Sequence, residues 1–357
     1  MGSCSHVRIA VLLLVVSSFH SATLRADEIQ GTGDVSEIKV KTFWNIRFSR
    51  TPELQVNKAG LADLYVPVRA GDAVSTQPIE PAEPTEQFKE TDSKRVSGNA
   101  LSAAAFHVSG PLRPAIVVVH GGGWFVGDKW SLATYSRQLA ETGCCVLNIN
   151  YRLAPYSKFP AQVDDVREAI LFLVDHADQY RIDPARIGLF GYSAGGHLSA
   201  LVGVMSDETP EVQASSSDWS LDDPRWSRMP KVAAVCAGGP PCDLRVVPID
   251  SEALSFFLTG TRRQFPAIYT AASPTAHASA GDPPTHLIHG EKDMIVPVQS
   301  SESFAEALKN AGAAAALTVV ENQGHLVTLM HPTTQKTVME FFTTELLNGT
   351  REKQMEK

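Results

Sequence analysis

The fold of this chain is decided by one short stretch, Gly191-Tyr192-Ser193-Ala194-Gly195. It follows an apolar run at 186–190 and precedes a run of small and aliphatic residues at 195–202. This order predicts a sharp turn from a buried strand into a helix, which holds the serine hydroxyl out at the end of a sheet. The glycines on either side fit that turn, because side chains at their positions would collide with the neighbouring backbone.

A second glycine-rich stretch lies upstream, after a β-branched run at 116–119 that is typical of a buried parallel strand. Its sequence is His120-Gly121-Gly122-Gly123-Trp124. Three consecutive glycines leave backbone N–H groups free to point at a ligand, and acyl transfer needs such donors for the oxyanion of its tetrahedral intermediate. A flexible loop or a phosphate cradle is the alternative. Phosphate binding is disfavoured, because no Gly-Lys-Ser/Thr follows and no Gly-x-Gly-x-x-Gly lies nearby.

Together, the two motifs resemble those of the α/β-hydrolase superfamily. Within it, the chain is similar to the esterases with a His-Gly-Gly-Gly-Trp loop, namely the hormone-sensitive-lipase-like carboxylesterases and the feruloyl and acetylxylan esterase group. The resemblance runs from about residue 100 to residue 345. It also includes the stretches at 150–155, 159–161, 183–187, 289–297 and 324–325. It implies an α/β fold with a mostly parallel central sheet, helices on both faces and lid-like insertions.

The resemblance and the chain order predict a catalytic triad of Ser193, Asp293 and His325. In this fold the order along the chain is serine, then acid, then histidine. Asp293 and His325 each follow a strand-like run, at 285–289 and 316–320. They should therefore lie at the carboxyl ends of parallel strands, where open α/β sheets place their sites. The histidine would take the serine proton, and the carboxylate would fix the histidine tautomer.

Five further residues complete the predicted site. The backbone N–H groups of Gly122, Gly123 and Ala194 are the predicted oxyanion hole. Trp124 and Tyr192 are candidates for the substrate pocket, although Trp124 fits a place in the core equally well.

Other ionisable residues compete with these assignments. His197 lies one helical turn after the serine. Its side chain is expected to point along its own helix into the packed interior, so it is predicted to be a core histidine. His286 and His289 are three residues apart on a strand, so they face opposite sides and do not form a metal pair. Asp243 is the rival acid, but it precedes the strand that leads to the preferred aspartate.

The first 26 residues are predicted to be a signal peptide. Arg8 is followed by an apolar run at 9–16, then by small polar residues up to Ala26. The run is shorter than the roughly 20 residues that span a bilayer. We therefore expect a secreted or periplasmic protein without a membrane anchor.

The charge of the chain disfavours other partners. Its net charge is −8, and loss of Arg8 and Arg25 with the signal peptide makes it two units more negative. An acidic chain without a basic cluster is not expected to bind nucleic acid or an anionic membrane surface. Small-molecule or saccharide esters are the expected partners, and the sequence does not set the oligomeric state.

Three regions are predicted to follow the signal peptide. N-terminal strands and a surface insertion occupy 27–100, the α/β-hydrolase catalytic core occupies 101–347, and a polar tail occupies 348–357. The surface insertion is the Pro-, Glu- and Thr-rich stretch at 72–95. The predicted core strands are 115–119, 144–149, 186–190, 231–236, 285–289 and 316–320.

Two polar segments interrupt the alternation of strands and helices, at 206–228 and 246–272. Both follow elements that start near the predicted site, so they are candidates for a lid or a pocket wall. The first segment carries Trp219 and Trp226 among hydrogen-bonding residues. A small satellite core under a loop is the alternative for these aromatic residues.

Four cysteines lie beyond the predicted signal peptide. Cys144 and Cys145 are adjacent on an apolar strand, where buried thiols are common. Cys236 and Cys242 flank a turn, and in an oxidising compartment the sequence leaves open whether they form a disulfide. No histidine or paired-cysteine cluster accompanies them, so neither a metal nor a cofactor is expected.

The resemblance implies a serine carboxylic-ester hydrolase that works through an acyl-enzyme, and the predicted signal peptide implies that it is secreted. Polar residues beside Trp219 and Trp226 favour a sugar or small aromatic acid over a triglyceride. We therefore expect short-chain acyl esters, with acetyl or feruloyl esters of plant polysaccharide as the favoured target. A peptidase, amidase or formamidase on the same scaffold is the first alternative. A hydrolase fold that only binds its ligand is the second.

Overall fold

The computed structural model describes residues 38–49, 51–76 and 106–348. The predicted signal peptide, most of the predicted surface insertion at 72–95 and nearly all of the polar tail lie outside the described residues.

An eight-stranded sheet runs through the described part of the chain, in the order β1-β2-β6-β5-β7-β8-β9-β10. Its strands are β1 (Lys39–Arg47), β2 (Leu61–Val68), β5 (Arg113–Val119), β6 (Cys145–Ile149), β7 (Ile182–Tyr192), β8 (Ala234–Gly238), β9 (Thr285–Gly290) and β10 (Ala315–Val320). β3 (Val74–Thr76) and β4 (Phe106–Val108) form a separate antiparallel pair. In the large sheet, β1 and β2 are antiparallel to their neighbours and the other pairs are parallel. The predicted mostly parallel sheet is confirmed.

Helices cover both faces of this sheet. The longer ones are α2 (Ala133–Glu141), α3 (Ala161–Asp175), α5 (Ala194–Met205), α9 (Gln299–Ala311) and α11 (Pro332–Phe342). The shorter ones are α1 (Pro52–Val56), α4 (Ala177–Tyr180), α6 (Pro210–Gln213), α7 (Ser255–Leu258), α8 (Pro266–Ala271) and α10 (His325–Met330). Along β5, Val117 and Val119 pack with α3, α5 and α9, whereas Ile116 and Val118 pack with α2 and α11. Alternate side chains of the strand therefore pack into two apolar layers, one on each face, as expected for a sheet covered on both sides.

The predicted core strands agree with the structure to within four residues at each end: the structure begins β7 earlier, at Ile182, and begins β8 later. The prediction began this strand at 231, but the structure begins it at Ala234. The N–H of Val232 donates to the Oγ of Ser206 instead of to a neighbouring strand. A side-chain acceptor at the end of α5 thus takes this N–H, and strand pairing starts later.

The four described cysteines are buried and free. Cys236 packs in the apolar layer of α2 and α11, whereas Cys242 packs in the layer of α3, α5 and α9. Since the sheet separates the two thiols, the possible disulfide between them is not formed.

The segment 206–228 packs on the outside of α3. Trp219, Trp226 and Leu171 form a small buried cluster, and both tryptophans are 7% exposed. The guanidinium of Arg167 lies 5.3 Å from the Trp226 ring centroid. This arrangement is the satellite core, so the use of these tryptophans as a substrate surface is wrong.

Within the described residues, no helix has the length and apolar character needed to cross a membrane. The same residues contain no group of three or more His, Cys, Asp or Glu side chains placed to hold a metal ion.

Candidate active site

Ser193 lies on the tight turn that joins β7 to α5. Its φ of 56° and ψ of −120° are rarely adopted by a residue other than glycine. A Cβ on Gly191 would lie 2.2 Å from the carbonyl oxygen of Gly195, and a Cβ on Gly195 would lie 2.0 Å from that of Val119. The predicted reason for the two glycines is confirmed. The backbone N–H of Ser193 donates to Gly238 over 2.7 Å, which fixes the turn to β8.

A chain of hydrogen bonds links the three predicted triad residues. The Nε2 of His325 lies 2.8 Å from the Oγ of Ser193, and its Nδ1 lies 2.5 Å from the Oδ2 of Asp293. Because a carboxylate only accepts, Nδ1 carries the proton and donates it to the aspartate. Nε2 therefore presents its lone pair to the serine hydroxyl, the arrangement needed to remove the serine proton.

Asp293 is held by donors on both of its oxygens. The N–H groups of Ile295 and Val296 each donate to Oδ1 over 2.9 Å. Burial alone would raise the pKa of Asp293, but hydrogen bonds from His289, His325 and the Val296 backbone outweigh it. The pKa of this carboxyl group is therefore held well below its usual range, and the group is ionised at neutral pH.

His289 is a neighbour of the site that the sequence did not reveal. Its Nε2 lies 3.2 Å from the Oδ2 of Asp293 and 2.8 Å from the carbonyl oxygen of Val296, while its Nδ1 lies 2.7 Å from the Oγ of Ser301. His286 faces the other side of the sheet and contacts Thr318, as the three-residue spacing predicted. The four-residue spacing from His289 to Asp293, across the end of β9, was the signal available in the sequence.

The glycine loop passes directly beside the serine. A Cβ on Gly121 would lie 3.3 Å from the Cβ of Ser193. The positive φ values of Gly122 (119°) and Gly123 (58°) turn the backbone of the loop. In the described part of the chain, the N–H groups of Gly122 and Gly123 have no hydrogen-bond acceptor. Ala194 is the first residue of α5, so its N–H lacks a partner within the helix.

Trp124 lies below the site and not on its wall. The side chain is 5% exposed and stacks on Phe257, with ring centroids 4.4 Å apart. Its indole N–H donates to the Nδ1 of His197 over 3.2 Å, and the Nε2 of His197 donates to the Ala272 carbonyl over 2.7 Å. Burial lowers the pKa of His197 to about 4. His197 is thus a neutral core histidine, as predicted, and Trp124 takes the core position that the sequence left open.

Tyr192 is also buried, so its predicted place in the substrate pocket is wrong. Its hydroxyl donates to the backbone carbonyl of His325 over 2.5 Å. This contact anchors the histidine from beneath.

Asp243, the rival acid, is engaged elsewhere. It accepts from the backbone N–H of Arg245 and pairs with the guanidinium of the same residue over 2.7 Å. It therefore stabilises a local turn, and the structure does not bring it to His325.

The segment 246–272 reaches the glycine loop, unlike 206–228. Phe256, on α7, packs edge-on against Phe125 with ring centroids 5.4 Å apart. The next residue, Phe257, stacks under Trp124 as described above. This segment forms a wall beside the candidate oxyanion donors.

Comparison with known proteins gives matches over most of the described core. The family model described as BD-FAE matches residues 107–308, more than half of the chain, and a model described as TAP-like protein matches 263–354. The chain is 32% identical to Esterase LipC of Mycobacterium tuberculosis over 205 residues, which are 55% of this chain and 48% of that protein. It spans about half the length of the curated relatives it matches.

Solved structures with similar folds include a carbohydrate esterase and an acetyl ester-xyloside hydrolase. A truncated carbohydrate esterase from gut microbiota has a TM-score of 0.64 and 25% identity, over 88% of this chain and 99% of that chain. An acetyl ester-xyloside bifunctional hydrolase from Caldicellulosiruptor lactoaceticus has a TM-score of 0.55 and 27% identity, over 66% of this chain and 84% of that chain.

Proposed function

The chain belongs to the BD-FAE family, and from that premise we propose that it hydrolyses short-chain carboxylic esters through an acyl-enzyme intermediate. One observation carries the proposal. A serine on a strained turn is hydrogen-bonded to a histidine, the histidine is hydrogen-bonded to a carboxylate, and free backbone donors lie beside the serine.

Acylation begins at the serine. The Oγ of Ser193 attacks the carbonyl carbon of the ester while its proton passes to the Nε2 of His325. The carbonyl π electrons move to oxygen, and the N–H groups of Gly122, Gly123 and Ala194 stabilise the resulting oxyanion. The carbon–oxygen bond to the alcohol then breaks, and the departing oxygen takes the proton from Nε2.

Deacylation repeats these steps with water. His325 removes a proton from a water molecule, which attacks the acyl carbon and releases the acid from Ser193. In both halves of the reaction the ionised Asp293 stabilises the imidazolium that forms.

The proposed acyl group is short, with two to four carbons as a rough expectation. The aromatic pair of Phe125 and Phe256 supports this size, because it occupies space beside the glycine loop. The likeness to carbohydrate and acetyl-xyloside esterases supports acetyl or feruloyl esters of saccharides as the natural target. Trp219 and Trp226 are buried, so they give no support to a saccharide substrate.

We also propose that the chain is exported, on the basis of Arg8 and the apolar run at 9–16. N-terminal sequencing of protein recovered from the medium or periplasm should begin near residue 27. An N-terminus that retains the apolar run would contradict export.

The esterase proposal is tested with Ser193→Ala and p-nitrophenyl acetate. Loss of the nucleophile should lower kcat/KM by about 10⁴-fold or more. Ser215→Ala is the matched control, because this exposed serine lies on the segment 206–228, which packs on the outside of α3, and its loss should leave the rate unchanged. Full activity of Ser193→Ala would refute the proposal, and faster hydrolysis of the matching anilide by the native protein would favour an amidase.

A further inference from the structure

Five exposed apolar side chains lie beside the histidine and the aspartate of the site. We call them the base-side patch, and they are Met294, Ile295, Leu326, Val327 and Met330. The first two directly follow Asp293 in sequence, and the other three lie on α10, which begins at His325. Their exposed fractions run from 58% to 92%. The patch is therefore continuous along the chain with both proposed catalytic residues.

Helix α10 has the reverse of the usual amphipathic pattern. Its buried residues are His325 and Thr328, both polar, while Leu326, Val327 and Met330 face solvent. Single exposed apolar residues are ordinary on protein surfaces, but a group of them marks a binding surface. Packing of the fold does not account for this group, because none of its members belongs to the buried core clusters.

The path of the proton places the alcohol half of the ester on this side. The same Nε2 of His325 that receives the serine proton must deliver it to the departing oxygen. That oxygen must therefore come within roughly 3 Å of Nε2. With the carbonyl oxygen held by the glycine loop, we infer that the alcohol leaves on the His325 side, where α10 begins and where Asp293 meets the histidine.

We propose that the base-side patch binds the alcohol half of the ester and that this alcohol is apolar. The inference rests on the proposed ester hydrolysis and its short acyl group, but it departs from the saccharide suggested by the similar structures and assigns an aliphatic, alicyclic or aromatic alcohol in its place. Burial of apolar alcohol surface against Met294, Leu326 and Met330 supplies the binding energy. A sugar in the same place would set its hydroxyl groups against side chains that offer no strong hydrogen-bond partner.

Other occupants fit the patch less well. It contains no lysine or arginine, and the chain carries a net charge of −8, so an anionic lipid surface is disfavoured. A stable protein interface uses roughly 20 to 30 residues on each side, which is several times the size of the patch.

The test compares two acetate esters of similar ring size, cyclohexyl acetate and methyl 2-O-acetyl-xyloside. Both give the same acetyl-enzyme, so a difference in kcat/KM reports the alcohol half alone. The native protein should favour cyclohexyl acetate by about tenfold or more. The triple variant Met294→Ser, Leu326→Ser, Met330→Ser should reduce that preference about tenfold.

Leu221→Ser is the matched control, because Leu221 is 60% exposed and Leu326 is 64% exposed. It should leave the preference unchanged, since Leu221 lies on 206–228. Met294→Ser alone, at a side chain that is 92% exposed, should lower the preference in a protein that keeps its native melting temperature. This single variant keeps the test valid if the triple variant does not fold.

A native preference for the xyloside, or a preference that survives the patch substitutions, would overturn the inference. It would also be overturned if the substitutions changed the sedimentation coefficient, which would indicate a second copy on the patch. Patch-dependent flotation with phosphatidylcholine vesicles would do the same by indicating a membrane. If Ser193→Ala abolishes both hydrolyses in any of these cases, the proposed function stands and the inference alone falls.

Discussion

His325 and His197 are both buried, and both ring nitrogens of each are hydrogen-bonded, yet the two regions around them are different. His325 lies between the carboxylate of Asp293 and the hydroxyl of Ser193. His197 lies between the indole of Trp124 and a backbone carbonyl. His197 is also nearer to the serine in sequence, one helical turn along α5.

A catalytic histidine needs a charged partner. A carboxylate beside an imidazole stabilises the imidazolium, whereas the apolar surroundings of His197 disfavour it and lower its pKa to about 4. Nearness to the nucleophile in sequence is thus a poorer guide than a charged partner.

His325→Ala should have the largest effect. Without a proton acceptor for Ser193, kcat/KM for p-nitrophenyl acetate should fall by about 10⁵-fold. His197→Gln should cost far less, because that residue touches only the core. A reversed ranking of the two variants would mean that the wrong histidine has been assigned as base.

Asp293→Asn should lower kcat by about 10⁴-fold, because the amide no longer stabilises the imidazolium or selects the right tautomer. Asp243→Asn is the control, since the rival acid is paired with Arg245. Steady-state kinetics of the two variants settle the choice. A greater loss in Asp243→Asn would make Asp243 the acid.

The stability of the fold should depend on pH through His197. Its folded-state pKa of about 4 lies below the value of about 6.5 for an unfolded histidine. The unfolded chain therefore takes up the proton first, so the native protein loses up to about 3 kcal/mol as pH falls from 6.5 to 4. Urea unfolding should show this slope, and His197→Gln should flatten it. An equal slope in both proteins would contradict the account.

His289→Gln should have the smallest effect, a reduction of kcat by about tenfold with little change in KM. The substitution keeps most of the side-chain volume but moves the donor that faces Asp293. His286→Gln is the matched control on the opposite face of β9, where the histidine contacts Thr318. Equal rates for the two variants would show that His289 only fills space.

Motif spacing predicted the strand-turn-helix around Ser193 and the sheet, and the resemblance to α/β-hydrolases with the chain order predicted the meeting of the serine with His325 and Asp293. These features follow from local turn chemistry and from the position of strand ends, which are legible in one sequence. For the contact of His289 with Asp293 the sequence offered only a four-residue spacing, which does not set the contact because it depends on how the loop after β9 folds back.

The surfaces on which the aromatic residues of the two insertions pack could not be predicted from the sequence either. The segments 206–228 and 246–272 have similar compositions but pack on different surfaces. Trp219 and Trp226 pack on α3, whereas Phe256 and Phe257 pack against aromatic residues of the glycine loop and its next residue. Which surface an insertion covers depends on long-range packing. Tyr192 was misplaced for that reason as well, and the sequence left the place of Trp124 open, since adjacency to a catalytic residue does not set the direction of a side chain.

Trapping of the intermediate shows whether Ser193 carries the acyl group. The protein is mixed with p-nitrophenyl acetate, quenched in acid within the first turnovers, digested and mapped by mass spectrometry. We expect an acetyl group on the peptide that contains Ser193, and none on that peptide in Ser193→Ala. Turnover without a modified Ser193 peptide, or with the acetyl group on another residue, would contradict it.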